Sequence, residues 1–275
     1  MSSTMSSNRN NQKQMIISIE GNIGSGKSTL LAHLKNNFQY NSTPTSSRTS
    51  TLAIIRNFIS LFCNEDTTIH TTAFKKEEGE ESNYDTPLPK VVFLREPVDE
   101  WEAIKDAKGT TMLQKFYTDQ ERYSFSFQMM AFISRLALLK EAMRENPNAI
   151  IITERSLFTD RDVFAKMLYE SGKIEDVNYQ IYMKWFDTFT NECPIHKVIY
   201  VCADPEVCHE RIKLRARLGE NVIPLDYLKQ CHLYHEKMIN EQLLEKTLIL
   251  DGNIDIYQNI EQLSTWQSEI ESFIL

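Results

Sequence analysis

Short runs dominated by apolar residues recur along the chain, at Met15 to Ile19, Lys90 to Leu94, Ala149 to Thr153, Lys197 to Val201 and Thr247 to Leu250. Hydrophobicity that is continuous rather than alternating predicts strands buried on both faces, as in a parallel sheet. Between the runs the spacing becomes helical. Lys27 to Asn37, Glu121 to Met143, and Val177 to Phe189 with Tyr179, Tyr182, Trp185 and Phe186 all carry that period. Glu121 to Met143 is too densely apolar for one narrow stripe, which predicts burial on more than one side or a place in an oligomer interface. Strands alternating with helices predict an α/β fold, a three-layer sandwich with a central five-stranded parallel sheet and helices on both faces. Ligands then collect at the carboxyl ends of the strands.

Two stretches break the pattern. Residues 1–14 are Ser, Asn and Gln with almost nothing to bury, which predicts a disordered tail. Residues 38–89 hold NSTPTSSRTS and KKEEGEESNYDTPLPK, loop-like and acidic compositions around a short apolar segment at Leu52 to Phe62. The expected organisation is one domain over 15–275 with 38–89 as a loop-rich insertion.

Composition narrows the class. With 41% hydrophobic and 25% charged residues in 275, the chain can build a substantial core and reads as soluble and globular. A formal net charge of −8 argues against a nucleic-acid partner. Five scattered cysteines do not form a disulfide framework, and Cys202 and Cys208 read as reduced structural thiols. His232 and His235, near Cys231, read as a solvated helix face rather than a metal site. A polar N-terminus and the lack of a long apolar stretch predict no membrane partner and a cytoplasmic location.

The chemistry begins after the first run. Gly21-Asn22-Ile23-Gly24-Ser25-Gly26-Lys27-Ser28-Thr29 has the glycine and lysine spacing of a phosphate-binding loop, set between strand and helix. Backbone N–H groups and the helix N-terminus would face the phosphates of ATP. Lys27 would reach the outer phosphates and the Ser28 hydroxyl would ligate Mg²⁺. Charged residues follow the later runs: Glu96, Glu154-Arg155 and Asp204. A carboxylate there serves metal ligation or proton acceptance, and an arginine neutralises the transferring phosphoryl group. Arg211, Arg215 and Arg217 lie close to one helix face, suiting either a lid over phosphates or a solvated surface.

Taken together, GNIGSGKST, EPVDEW (Glu96 to Trp101), YSFSFQMMAFISR (Tyr123 to Arg135), ERSLFTDRDVFA (Glu154 to Ala165) and RIKLRARLGENVIPLDYL (Arg211 to Leu228) resemble the deoxyribonucleoside kinases related to deoxycytidine and deoxyguanosine kinases. The resemblance implies transfer of the γ-phosphate of ATP to the 5′-hydroxyl of a deoxyribonucleoside, for nucleotide salvage. It implies Glu96 as general base, Arg155 on the 5′-oxygen and phosphates, and Glu154 with Ser28 on Mg²⁺. Trp101, Tyr117 and Gln128 would form the nucleoside pocket, with Gln128 reading the base. Tyr117 and Glu220 would hold the 3′-hydroxyl, and Arg135 and Asp160 would pair at the base's other polar edge. Arg211, Arg215 and Arg217 would form the lid, and Asp255 would lie against the ATP adenine. The Arg135–Asp160 pair implies purine deoxynucleosides or deoxycytidine over thymidine, and the two apolar helical segments imply a homodimer. The open alternatives are a nucleoside-monophosphate kinase of the thymidylate-kinase type and a nucleotide-sensing binding module. The Glu96-Pro97-Val98 motif favours a bare hydroxyl acceptor over the first. The lack of an Asn-Lys-x-Asp motif disfavours a GTP-dependent form of the second.

Overall fold

A computed structural model describes residues 14–38, 90–215, 223–256 and 258–274. The expected tail and insertion, together with Arg217 and Glu220, lie outside the described residues, apart from Gln14 and Phe38 at their edges. Gln14 is the one residue of the expected tail among the described residues. Its amide donates to the carbonyls of Met143 at 3.0 Å and Asn146 at 2.7 Å, so it is anchored.

All the apolar runs are strands: β1 (Met15–Glu20), β2 (Val91–Leu94), β3 (Ile150–Glu154), β4 (Lys197–Cys202) and β5 (Thr247–Asp251). They form one parallel sheet in the order β2-β3-β1-β4-β5. Ile16, Ile17 and Ile19 of the central strand β1 are buried, as its continuous run requires. β2 departs from the expected full burial. It is an edge strand, and its four residues are only half-buried. Because the chain runs from β1 to the edge strand β2, returns to β3 and then crosses to β4 on the other side of β1, the loop after β1 opens into the crevice where that direction reverses.

The helices are α1 (Lys27–Phe38), α2 (Val98–Ala103), α3 (Met112–Thr118), α4 (Gln120–Glu145), α5 (Leu157–Thr159), α6 (Lys166–Glu170), α7 (Asp176–Thr190), α8 (Pro205–Arg215), α9 (Leu225–Met238) and α10 (Ile260–Ile274). Between α5 and α6, Asp160–Ala165 is a π-helix, in which the Lys166 N–H reaches back five residues to the Arg161 carbonyl. A capping box between Thr111 and Gln114 starts α3 and so fixes Tyr117 one turn on. The long helix α4 buries Phe127, Ala131, Phe132, Leu136 and Leu139 beside the polar residues Ser124, Gln128 and Arg135.

The expected solvated histidine face is incorrect at His235. That residue is fully buried in α9, with Nδ1 2.6 Å from the Cys231 carbonyl and its ring against Tyr200 and Phe164. Burial pushes its pKa down to about 3, so it is a neutral core residue. The sequence showed the helical spacing of this pair but not that α9 lies across the sheet with this side inward. Among the described residues, no group of His, Cys, Asp and Glu is arranged to hold a metal as a cluster, and Cys193, Cys202, Cys208 and Cys231 are free thiols.

Candidate active site

The loop from Gly21 to Gly26 is shaped by what presses on it. Gly21 has φ +142°, and a Cβ there would sit 2.5 Å from the Val201 carbonyl oxygen. Gly24 has φ +80°, and a Cβ would meet the Cys208 carbonyl oxygen at 2.6 Å. The turn, with the close approach of β4 at Gly21 and of α8 at Gly24, therefore requires glycine at both. Asn22 ties the loop to α9 through its amide, which donates to the Leu228 carbonyl at 2.9 Å. Lys27, the first residue of α1, folds back so that Nζ donates to the Asn22 carbonyl at 2.6 Å. Burial, with help from the nearby Arg155 charge, lowers the Lys27 pKa to about 7. The next residue, Ser28, donates its hydroxyl to Oε1 of Glu154.

Glu154 ends β3, and the chain then makes an abrupt turn. Arg155 has φ +62°, the only non-glycine with positive φ among the described residues. That conformation costs a side-chain-bearing residue about 1–2 kcal/mol. It is held on several sides. The Arg155 N–H donates to the Ile19 carbonyl at 2.9 Å, its carbonyl accepts the Thr153 hydroxyl, and its guanidinium lies 5.1 Å from the centre of the Phe164 ring. The turn sends the side chain to Glu96, with Nη1 2.7 Å from Oε1.

Arg135 approaches the same carboxylate from α4. Its Nη2 donates to Glu96 Oε1 at 2.9 Å, its Nη1 to the Glu154 carbonyl at 2.7 Å and its Nε to Asp160 Oδ2 at 2.8 Å. Burial alone would push the Glu96 carboxyl up, but Arg155, Arg135 and Lys27 outweigh it and hold it at about 2. Burial likewise opposes the charge on Arg135, whose pKa nonetheless ends above its ordinary value because Asp160 and Glu96 both face it. The result is a fixed, ionised carboxylate between two guanidinium groups, across from a phosphate loop.

The residues expected to line the nucleoside pocket are near one another by element. Trp101 of α2 is buried, its indole N–H donating to Ser134 Oγ at 2.8 Å and its ring edge-on to Phe127. Gln128 is buried seven residues before Arg135 on α4, hence on the same helix face two turns away. Tyr117 is half-buried, with its ring edge-on to Tyr227 of α9 at 6.3 Å.

Of the other expected residues, Arg211 stays beside the phosphate loop, with Nη1 3.5 Å from the Ser25 carbonyl. Arg211 of α8 donates to the carbonyls of Gly252 at 2.6 Å and Ile254 at 3.2 Å, so it grips the turn after β5 in this arrangement. Asp255 is exposed in that turn, and Arg215 is exposed at the end of α8. Asp204 is also exposed and takes no part in the constellation; its N–H donates to Asn253 Oδ1 at 2.8 Å at the start of α8. Two residues near the centre went unremarked in the sequence. Phe164 supports Arg155, and Glu20 accepts the Thr159 hydroxyl. The sequence signal for Glu20 is its place as the first charged residue after the first apolar run.

Residues 86–275 match the family model described as deoxynucleoside kinase. Human deoxycytidine kinase is 33% identical over 196 residues, covering 64% of this chain and 75% of that protein. The mitochondrial deoxyguanosine kinase of Xenopus laevis is 29% identical over 271 residues, covering 95% of this chain and 87% of that protein. Deoxycytidine kinase 2 of Gallus gallus is 28% identical over 277 residues, covering 94% and 89%.

Proposed function

The chain belongs to the deoxynucleoside kinase family, and from that premise we propose how its residues divide the work. The enzyme is an ATP-dependent deoxynucleoside kinase, moving a phosphoryl group to the 5′-hydroxyl of a deoxyribonucleoside. The observation that carries the assignment of roles is Glu96 held between Arg155 and Arg135 opposite Lys27.

Phosphoryl transfer passes through a loose transition state, so its catalysis is mostly positioning and neutralisation of charge. The backbone of residues 21–26 and Lys27 take the phosphates of ATP. Arg155 spans the acceptor oxygen and the phosphoryl group in flight. Glu96 orients the acceptor hydroxyl. A carboxylate held at about 2 is always ionised but weakly basic. It therefore takes the proton only as the new O–P bond forms and the hydroxyl becomes acidic. Ser28 and Glu154, whose side-chain oxygens already touch, offer the hard oxygen donors that suit Mg²⁺. When bound there, Mg²⁺ supplies charge neutralisation between the phosphates.

Trp101, Tyr117 and Gln128 receive the nucleoside, and Arg135 with Asp160 face the polar edge of its base. Glu220 belongs with Tyr117 on the 3′-hydroxyl, and Arg211, Arg215, Arg217 and Asp255 belong to the ATP side. A base that leaves the buried Arg135–Asp160 pair unsatisfied bears its desolvation cost. Purine deoxynucleosides or deoxycytidine are therefore favoured over thymidine. We take 15–275 as a single kinase domain. A homodimer is supported by α7, where Val177, Ile181, Trp185 and Phe189 recur every fourth residue and are all exposed, with Ile133 exposed on α4.

The test is an acceptor panel of deoxynucleosides and nucleoside monophosphates with labelled ATP. Deoxyguanosine or deoxycytidine should be phosphorylated about 10²–10⁴-fold better than thymidine in kcat/KM. Thymidine as the best acceptor would sink the base assignment, and a monophosphate as the best acceptor would sink the role given to Glu96.

A further inference from the structure

Beneath the phosphate loop lies a carboxylate that none of these roles uses. Glu20 is the last residue of β1, immediately before Gly21, and is fully buried. Its place in the register is opposite Tyr200 of β4. Oε2 accepts the Thr159 hydroxyl, while Oε1 is buried without a partner among the described residues. A buried carboxylate with one unsatisfied oxygen is costly, and an apolar residue would stabilise the strand more. A fold-holding role alone gives no reason for an acid here.

The identity of its one partner supplies a reason. Thr159 is itself buried and ends α5, with its N–H held by Ser156 Oγ at 3.2 Å. The next residue is Asp160, which fixes Arg135 at 2.8 Å, and Arg135 reaches Glu96 at 2.9 Å. A continuous series of directional contacts thus joins the strand that ends in the phosphate loop to the carboxylate facing the acceptor hydroxyl.

We propose that Glu20 is a positioning residue for phosphoryl transfer, which through the Thr159 hydroxyl sets Asp160, Arg135 and Glu96 at a fixed place relative to the phosphate loop. This rests on the role given to Glu96 above. Apolar packing between β1 and α5 would hold the two segments together but would leave them free to slide and rotate. A charge-assisted hydrogen bond fixes direction as well as distance. The reaction is sensitive to such placement, since an error of about 1 Å between acceptor and phosphate costs on the order of 10²-fold in rate.

The experiment compares Thr159→Val, Thr159→Ser and Glu20→Gln with the wild type in steady-state kinetics across pH, with MgATP and deoxyguanosine, alongside Tm. Thr159→Val keeps the shape and removes the donor. It should lower kcat about 10–100-fold while the KM for ATP moves less than about 3-fold. As Arg135 loosens, the acid limb of kcat/KM should also move to higher pH than in the wild type. Thr159→Ser should restore both to within about 3-fold of wild type. Glu20→Gln keeps an acceptor oxygen for the Thr159 hydroxyl, so its loss of kcat should be smaller than that of Thr159→Val; should it not fold, the Thr159 variants decide alone. Wild-type kcat and an unshifted acid limb in Thr159→Val, whatever its Tm, would overturn the proposal. Glu96→Gln, assayed in parallel, separates the two readings. If it is inactive while Thr159→Val is unaffected, only the role of Glu20 fails. If it keeps its turnover, the role of Glu96 fails and takes the proposal with it.

Discussion

Arg155 Nη1 and Glu96 Oε1 meet at 2.7 Å, on the same carboxylate oxygen that Arg135 approaches at 2.9 Å. Removing that charge has two separable consequences. Glu96→Gln should lower kcat by about 10²–10⁴-fold with a smaller effect on nucleoside binding, measured in parallel by turnover and equilibrium titration.

The same substitution should lower Tm at neutral pH, because it leaves two guanidinium groups facing each other. The sign with pH follows from the depressed pKa. Glu96 ionises at about 2 in the fold and near 4.5 when unperturbed, so its stabilisation is complete above the latter value and is lost as pH falls toward the former. The Tm difference between wild type and Glu96→Gln should therefore be constant from neutral pH down to about 5 and narrow below that. A difference that stays constant at lower pH would mean the carboxylate is not held by the arginines.

Lys27 makes nucleotide binding a protonation event. With its pKa lowered to about 7, the buried amine of the free enzyme is mostly neutral above that pH, and phosphate oxygens favour its charged form. Binding of a non-hydrolysable ATP analogue should take up close to one proton at about pH 8 and little at about pH 6. Calorimetry in buffers of different ionisation enthalpy measures this. The uptake should vanish in Lys27→Ala.

Arg135 bonds to both Asp160 and Glu96, so the role proposed for it at the base edge would make substrate choice and rate inseparable at this residue. Replacing Arg135 with Met and Asp160 with Ala together should raise the ratio of thymidine to deoxyguanosine kcat/KM more than either change alone. It should also lower kcat for every acceptor by about 10-fold or more, since Glu96 loses one of its two supports. Relaxed selectivity with undiminished kcat would show that Arg135 acts on the base alone.

Trp185 and Phe189 stack with their ring centres 5.6 Å apart on the exposed stripe of α7. The wild type should scatter light as twice its 32.1 kDa chain. Trp185→Glu, which places a charge in the middle of that stripe, should scatter as a single chain with far-UV dichroism unchanged. A monomeric wild type at micromolar concentration would count against the dimer.

The strands were legible because each carries a short apolar run, fully buried in β3 and nearly so in β1 and β4 but only partly in the edge strands β2 and β5, and each observed end lies within about one residue of the run's end. The short helices Val98–Ala103 and Met112–Thr118 went unpredicted, since six or seven residues hold too few turns to show a period. Within the site, Glu96 and Arg155 could be anticipated from their places after strands. That Arg135 would reach Glu96, 39 positions away, could not, because nothing local encodes the pairing. Burial of His235 escaped for a similar reason: helical spacing states which residues share a face but not what that face meets.

The π-helix at Asp160–Ala165 constrains how this sequence can change. Asp160 and Phe164 are both buried, one against Arg135 and the other under Arg155. Deleting one residue between Thr159 and Lys166 would bring Phe164 one position closer to Asp160 along the segment, about 1.5 Å in helical rise. Phe164 would leave the guanidinium while Asp160 stayed, and the two halves of the site would fall out of phase. Substitutions along this segment can accumulate one at a time, but a change of length there has no gradual route.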